Sequence, residues 1–170
     1  MAIIPATVTD VPELVALVNS GYRGEISKKG WTTEANMIDG QRIDSEGIIE
    51  QMSDPNAVIL KNTNEEGCIT GCVYLQKQSD KLYLGMLTVS PLLQANGLGR
   101  QLLTAAEDYA RSNGLNTIVM TVITTRTELL AWYQRRGYTK TGQVLPLNIT
   151  ERNGILKQPL EMYKLEKKLI

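Results

Sequence analysis

One segment, Leu87-Thr88-Val89-Ser90-Pro91-Leu92-Leu93-Gln94-Ala95-Asn96-Gly97-Leu98-Gly99-Arg100, constrains the fold more than any other part of this chain. An apolar run ends at Val89, a polar turn opens on Ser90-Pro91, and two glycines stand where a helical stripe of Leu98, Leu102, Ala105, Ala106 and Tyr109 begins. The stripe ends at Asn113-Gly114, and the β-branched run Thr117 to Thr125 follows. Strand, helix and strand in this order predict a parallel crossover, because parallel neighbours cannot be joined by a tight turn. Glycines at a helix start also let the backbone approach an anion. The unpaired amides of the first turn and the helix dipole then favour a pyrophosphate, and Arg100 adds a charge-assisted contact. Glycine serves equally for close helix–sheet packing, so this feature alone leaves a structural reading open. Two nucleotide motifs fail outright: Leu102 stands where G-x-G-x-x-G needs its third glycine, and no glycine is followed by Lys-Ser or Lys-Thr.

Around this crossover the chain alternates legibly. Ala2 to Thr7 reads as a strand, and Asp10 as the cap of a helix with Glu13 as its box partner. In that helix Val11, Leu14, Val15, Val18 and Tyr22 form one buried stripe, which Gly21 and Gly24 then weaken. Tyr22 to Asp44 has no clear periodicity and reads as a mobile or ligand-lining connection. A helix from Ser45 to Met52 precedes strands over Ala57 to Lys61, Cys68 to Gln76 and Leu82 to Val89, an antiparallel meander. Beyond the crossover come a helix over Thr127 to Arg135 and closing strands at Tyr138 to Gly142 and Pro159 to Leu165. Between those strands, Pro146 to Pro159 reads as a loop placed to line a binding site or a homodimer contact.

The 170 residues are expected to form one domain, 1–170. Lys and Arg number 18, as do Asp and Glu, so no global field draws the chain to nucleic acid or an anionic membrane. No apolar run is long enough to span a bilayer and no leader-like segment opens the chain, which predicts a cytoplasmic protein. Cys68 and Cys72 are the only cysteines and histidine is absent, so a zinc site has no ligand set and both thiols are expected in the core of a strand. Without histidine, proton transfer falls to Glu, Asp, Tyr, Lys, Cys or water.

Gln94-Ala95-Asn96-Gly97-Leu98-Gly99, after a strand ending Val89-Ser90-Pro91, matches the pattern Q/R-x-x-G-x-G/A. It resembles the acetyl-CoA motif of the GNAT N-acetyltransferase family. The resemblance continues in Arg126-Thr127-Glu128-Leu129-Leu130-Ala131-Trp132-Tyr133-Gln134-Arg135-Arg136-Gly137-Tyr138, a helix with Tyr four residues before Gly and an aromatic. With the order β-α-α-β-β-β-α-β-α-β-β it spans nearly the whole chain. It implies an α/β fold with a mixed, mostly antiparallel sheet of about seven strands, flanked by helices and splayed at the CoA site.

The resemblance further implies an acetyl-CoA-dependent N-acetyltransferase in which an amine attacks the thioester directly, with no metal. Leu87 and Val89 match the strand that holds the pantetheine arm. Gln94, Ala95, Asn96, Gly97, Leu98, Gly99 and Arg100 match the pyrophosphate loop. Tyr133 stands where many relatives place a tyrosine that protonates or hydrogen-bonds the departing thiolate. The strand position where many relatives carry a glutamate base has none here, since Lys81-Leu82-Tyr83-Leu84-Gly85-Met86-Leu87 lacks a carboxylate. An alkylamine of pKa near 10.4 is only about a thousandth neutral at pH 7, so the base matters. Glu34 is a candidate if its loop folds over the acceptor, and Glu25 a lesser one. Tyr22, Arg23, Trp31 and Arg42 match the region that lines the acceptor pocket, where Arg23 or Arg42 would pair with an acceptor carboxylate. Two other readings stay open: a non-catalytic acyl-CoA-binding regulatory domain, and an acetyltransferase acting on a peptide or protein rather than a small amine.

Overall fold

The computed structural model describes residues 3–93 and 97–169, apart from the side chain of Glu25. In chain order its elements are β1 (Ile3–Pro5), a 3-10 turn (Val8–Asp10), α1 (Val11–Tyr22), α2 (Gly24–Ser27), β2 (Ile38–Asp39), α3 (Ser45–Ser53), β3 (Ala57–Thr63), β4 (Ile69–Gln78) and β5 (Lys81–Val89). There follow α4 (Leu98–Ser112), β6 (Thr117–Ile123), α5 (Thr127–Gln134), β7 (Thr139–Pro146), a 3-10 turn (Glu151–Asn153), β8 (Ile155–Leu156) and β9 (Glu161–Lys168).

Seven of the described strands form one sheet in the order β1-β3-β4-β5-β6-β9-β7. The expected crossover is present: β5 and β6 are parallel and α4 joins them, whereas the other neighbours in this sheet are antiparallel. Helices cover both faces. Leu102, Leu103 and Ala106 of α4 and Leu130 of α5 pack with Val73, Leu75, Leu82, Leu84 and Ile118 on one side. On the other, Leu14 and Val18 of α1 and Ile48 of α3 pack with Ile59, Ile69, Cys72 and Met86.

β5 changes allegiance partway along. Leu82 and Leu84 belong to the α4 side, yet Met86, two residues on, belongs to the α1 side. Side chains alternate with a period of two, so only an irregularity can reverse the facing. That irregularity is a bulge: Met86 has φ of 56°, and the β4–β5 register shifts between Cys72 and Tyr74. The pairing of β5 with β6 is confined to Leu82↔Ile118 and Tyr83↔Val119. The ladder between the two strands thus ends before the bulge, and residues 84–89 of β5 do not pair with β6.

Several local expectations shift. The capping box forms three residues earlier than expected, with the Asp10 carboxylate accepting from the Thr7 amide at 2.8 Å, while Glu13 instead accepts from the Ile69 amide at 2.6 Å. Cys68 lies before β4 and is exposed; only Cys72 is buried, and burial pushes its thiol up to about 12. The closing strands β7 and β9 each run past their expected ends. Two stretches read as loops contribute β2 and β8, which pair through Ile38↔Leu156 and Asp39↔Ile155. Two-residue strands carry no periodicity to read, yet this pair brings the segment after α1 over the segment after β7. Among the described residues no helix is long and apolar enough to cross a membrane.

Candidate active site

Three cavities run end to end along the split in the sheet. The outer one, about 750 Å³, lies at the start of α4 and is lined by Lys29, Trp31, Gly97, Gly99, Arg100, Trp132, Arg135 and Arg136 among others. Gly97 caps α4 with φ of 84°, and a Cβ there would meet nothing within 4 Å, so the backbone is left-handed and open to the basin. Gly99 makes room for a neighbour instead: its Cβ would lie 3.3 Å from the Trp132 ring. Arg136 stacks 3.9 Å over Trp132 and donates to the Trp132 carbonyl at 2.8 Å, while its Nε is buried without a partner among the described residues. Burial and the nearby Arg100 and Arg135 lower its pKa, a sign that like charges are gathered here. A basin of guanidiniums at a helix start suits a phosphate-bearing ligand.

A neck of about 70 Å³ leads inward between Leu87, Thr88 and Val89 of β5, Gly99, and Trp31, Trp132, Tyr133, Tyr22 and Arg126. Trp31 is 47% exposed and sits 6.2 Å, centroid to centroid, from Trp132. The Tyr22 hydroxyl donates to the Leu87 carbonyl at 2.8 Å, which ties α1 to the divergent part of β5. Tyr133, on α5, is almost wholly buried and packs edge-on between Trp132 and Tyr138. Burial pushes its phenol well above the ordinary value of 10, so it stays protonated throughout the neutral range. Its hydroxyl makes no hydrogen bond among the described residues.

The inner cavity, about 420 Å³, has a mixed lining of charged, polar and apolar side chains. Glu34 is buried and holds two buried arginines at once: its Oε1 accepts from Arg23 Nε at 3.0 Å and its Oε2 from Arg126 Nη1 at 2.9 Å. Arg23 also donates to the Asn153 carbonyl at 2.8 Å, and Arg126 to the Thr32 hydroxyl at 2.7 Å. Gly154 follows at φ of 124°; a Cβ there would strike Arg23 Nη1, so glycine lets the chain pass over the clamp. Arg42 is placed differently. Its amide donates to Asn19 Oδ1 at 2.7 Å and its carbonyl accepts from Asn153 at 2.9 Å, while its guanidinium lies 4.6 Å from the Tyr22 ring centroid. No carboxylate of a described residue pairs with Arg42; Asp44, its neighbour in sequence, is bound by Arg152 at 2.7 Å. Apolar lining comes from Ile38, Ile43, Val122, Ile123, Ile149 and Met162 among others, with Gln51, Thr121, Asn148 and Thr150 interspersed.

The structure thus brings Leu87, Val89, Gly97, Leu98, Gly99 and Arg100 around the outer basin and neck, and Tyr22, Arg23, Glu34, Arg42 and Tyr133 around the inner cavity. Trp31 falls in the neck and basin rather than beside the acceptor residues. Gln94, Ala95 and Asn96 lie outside the described residues, as does the Glu25 side chain. Arg126, Arg135 and Arg136 carry no role in the sequence reading, although the Arg-Arg pair before Gly137 was a visible signal. Asn153 was unreadable, because its contact with Arg42 spans 111 positions of chain.

A mixed sheet that opens beside a glycine-capped helix start ringed by arginines, with an aromatic neck leading to a second cavity, defines the site. A model of the acetyltransferase (GNAT) family matches residues 25–138, more than half the chain, and the chain belongs to that family. An amino-acid acetyltransferase of Pseudomonas putida (strain GB-1) is 38% identical over 79 residues, which cover 45% of this chain and only 17% of that relative. Among solved structures, the ribosomal-protein-S18-alanine N-acetyltransferase of Escherichia coli superimposes with a TM-score of 0.73 at 15% identity, covering 99% of this chain and 93% of that one. The yncA protein of Salmonella typhimurium, solved with its cofactor acetyl-CoA, gives 0.71 at 20% identity, covering 100% and 94%. At these identities the superpositions establish the shared fold.

Proposed function

We propose that this chain transfers an acetyl group from acetyl-CoA to the amine of a small acceptor by direct attack, without a covalent enzyme intermediate. The observation that carries this reading is the continuous line of cavities from the start of α4, through the neck, to Arg42 and Glu34. The α4 amides from Gly97 onward, with Arg100, Arg135 and Arg136, supply the charge that a pyrophosphate needs. Leu87 and Val89 lie on the stretch of β5 beyond its ladder with β6, where a pantetheine amide can run beside the strand. Acetyl-CoA supplies the acyl thioester. As the acceptor nitrogen bonds to the acetyl carbon, the carbon–sulfur bond breaks, and the proton shed by the amine ends on the departing thiol.

Tyr133 is assigned as the group that steadies that thiolate. With its pKa raised, the phenol gives a hydrogen bond to the developing charge rather than acting as a base. Glu34 is assigned a different task from the one its position in sequence suggests. Both its oxygens are held by guanidiniums, so it fixes Arg23 and Arg126 rather than collecting a proton. The test is thiol release from acetyl-CoA against a panel of free amines, amino acids and short peptides, with thermal stabilisation by acetyl-CoA recorded alongside. Release that depends on a free amine supports the reading. Release with peptides alone replaces the acceptor class, stabilisation without release returns the chain to a binding module, and no stabilisation overturns the cofactor assignment.

A further inference from the structure

We infer that the acceptor is an amino carboxylate with an apolar body, of the aliphatic or aromatic amino-acid class, and that Arg42 holds its carboxylate. This rests on the acetyl-transfer reading above and adds the substrate to it. The charge inventory of the inner cavity carries the argument. Its lining holds three guanidiniums, Arg23, Arg42 and Arg126, against a single carboxylate, Glu34. Glu34 is shared between Arg23 and Arg126 and leaves nothing for Arg42. Arg42 is nonetheless fixed: its backbone is bonded on both sides, to Asn19 and to Asn153, and its guanidinium rests on the Tyr22 ring. A cation held in place by its backbone and a ring, half-buried in a cavity, with no carboxylate partner among the described residues, is built for a carboxylate that arrives with the ligand.

The same inventory selects against other amines. A simple alkylammonium would add a fourth positive charge to this cavity, whereas an amino acid brings its own compensating anion. Once the carboxylate is on Arg42, the remaining positive surroundings disfavour the ammonium form of the reacting nitrogen, so deprotonation is helped without a carboxylate base on β5. The apolar members of the lining, Ile38, Ile43, Val122, Ile123, Ile149 and Met162, offer hydrocarbon to the side chain of such an acceptor.

The experiment compares initial rates of thiol release with leucine, leucinamide and isoamylamine, in the unaltered protein and in Arg42→Gln and Arg42→Lys, with acetyl-CoA stabilisation measured on each. Leucine is expected to exceed isoamylamine in kcat/KM by about 10- to 100-fold, the range that a charge-assisted hydrogen bond confers. Leucinamide, whose α-amine of pKa about 8 is already more neutral at pH 7, is compared by KM, which should lie above that of leucine. Arg42→Gln should bring the leucine-to-isoamylamine ratio toward one, chiefly through KM, and Arg42→Lys should restore part of it. Isoamylamine used as well as leucine, or a ratio unmoved by Arg42→Gln, would overturn the inference while the acetyl-transfer reading stands. Stabilisation by acetyl-CoA with none of the three acetylated would overturn it too. Loss of stabilisation itself would instead count against the reading on which it rests.

Discussion

Replacing Glu34 by Gln separates a clamp from a catalytic base. In the unaltered protein the side chains of Arg23, Glu34 and Arg126 are 6%, 9% and 4% exposed, and the carboxylate faces two guanidiniums. Glutamine keeps one acceptor oxygen but turns an NH₂ toward the second guanidinium, which places donor against donor and leaves buried positive charge uncompensated. Breaking a buried pair in this way costs about 3–5 kcal/mol, and the retained acceptor puts the loss near the lower figure. For a chain of this size each kcal/mol moves Tm by about 2–4 °C, so a fall of about 6–12 °C is expected. Thermal unfolding followed by circular dichroism, with urea unfolding as a second measure, reads it directly. A variant with unchanged Tm and abolished turnover would refute the clamp and make Glu34 the base.

Four further outcomes follow from the geometry. Tyr133→Phe should lower kcat by about 10²–10³-fold, as loss of one donor to a developing charge does, with acetyl-CoA stabilisation intact; unchanged kcat in steady-state assays would end its assignment. Gly97→Ala forces a Cβ into the left-handed region at a cost of about 1–2 kcal/mol, to be seen as a lower Tm and weaker acetyl-CoA binding by calorimetry. A disulfide-exchange dye near neutral pH should label one thiol, Cys68, in the folded protein and both after unfolding, because Cys72 is buried with its thiol pushed up to about 12. Arg152 and the Gly47 amide hold the Asp44 carboxyl at about 2, below its ordinary 3.8. A depressed carboxylate stabilises the fold above its unfolded value and loses that contribution as pH falls through its folded one, so the Tm gap between the unaltered protein and Asp44→Asn should close over that window.

The parts of this molecule that could be read from sequence are those written in local chemistry. The crossover announces itself through a strand ending at Val89, glycines at 97 and 99, and a helical stripe from Leu98 to Tyr109; all three are short-range patterns. The meander over β3 to β5 shows in alternation and in the turns at Asn64–Gly67 and Ser79–Asp80. What escaped depends on distant contacts. The bulge at Met86 puts a non-glycine residue at positive φ, a conformation that only its surroundings enforce. Pairing of β2 with β8 joins two stretches without periodicity across 118 positions at Ile38 and Leu156. Glu34 shows the same limit at the site: its type and loop suggested a base, but only its place between Arg23 and Arg126 defines what it does to them. Arg42 stood out as a candidate from its neighbourhood, while the reason for preferring it over Arg23 lies in which of the two has a carboxylate already.

The most direct test of the central claim is a crystal structure of the protein with acetyl-CoA. The pyrophosphate is expected against the amides from Gly97 to Arg100, the pantetheine arm along Leu87 and Val89, and the thioester in the neck within reach of the Tyr133 hydroxyl. Acetyl-CoA bound elsewhere, or a thioester turned away from the inner cavity, would contradict it.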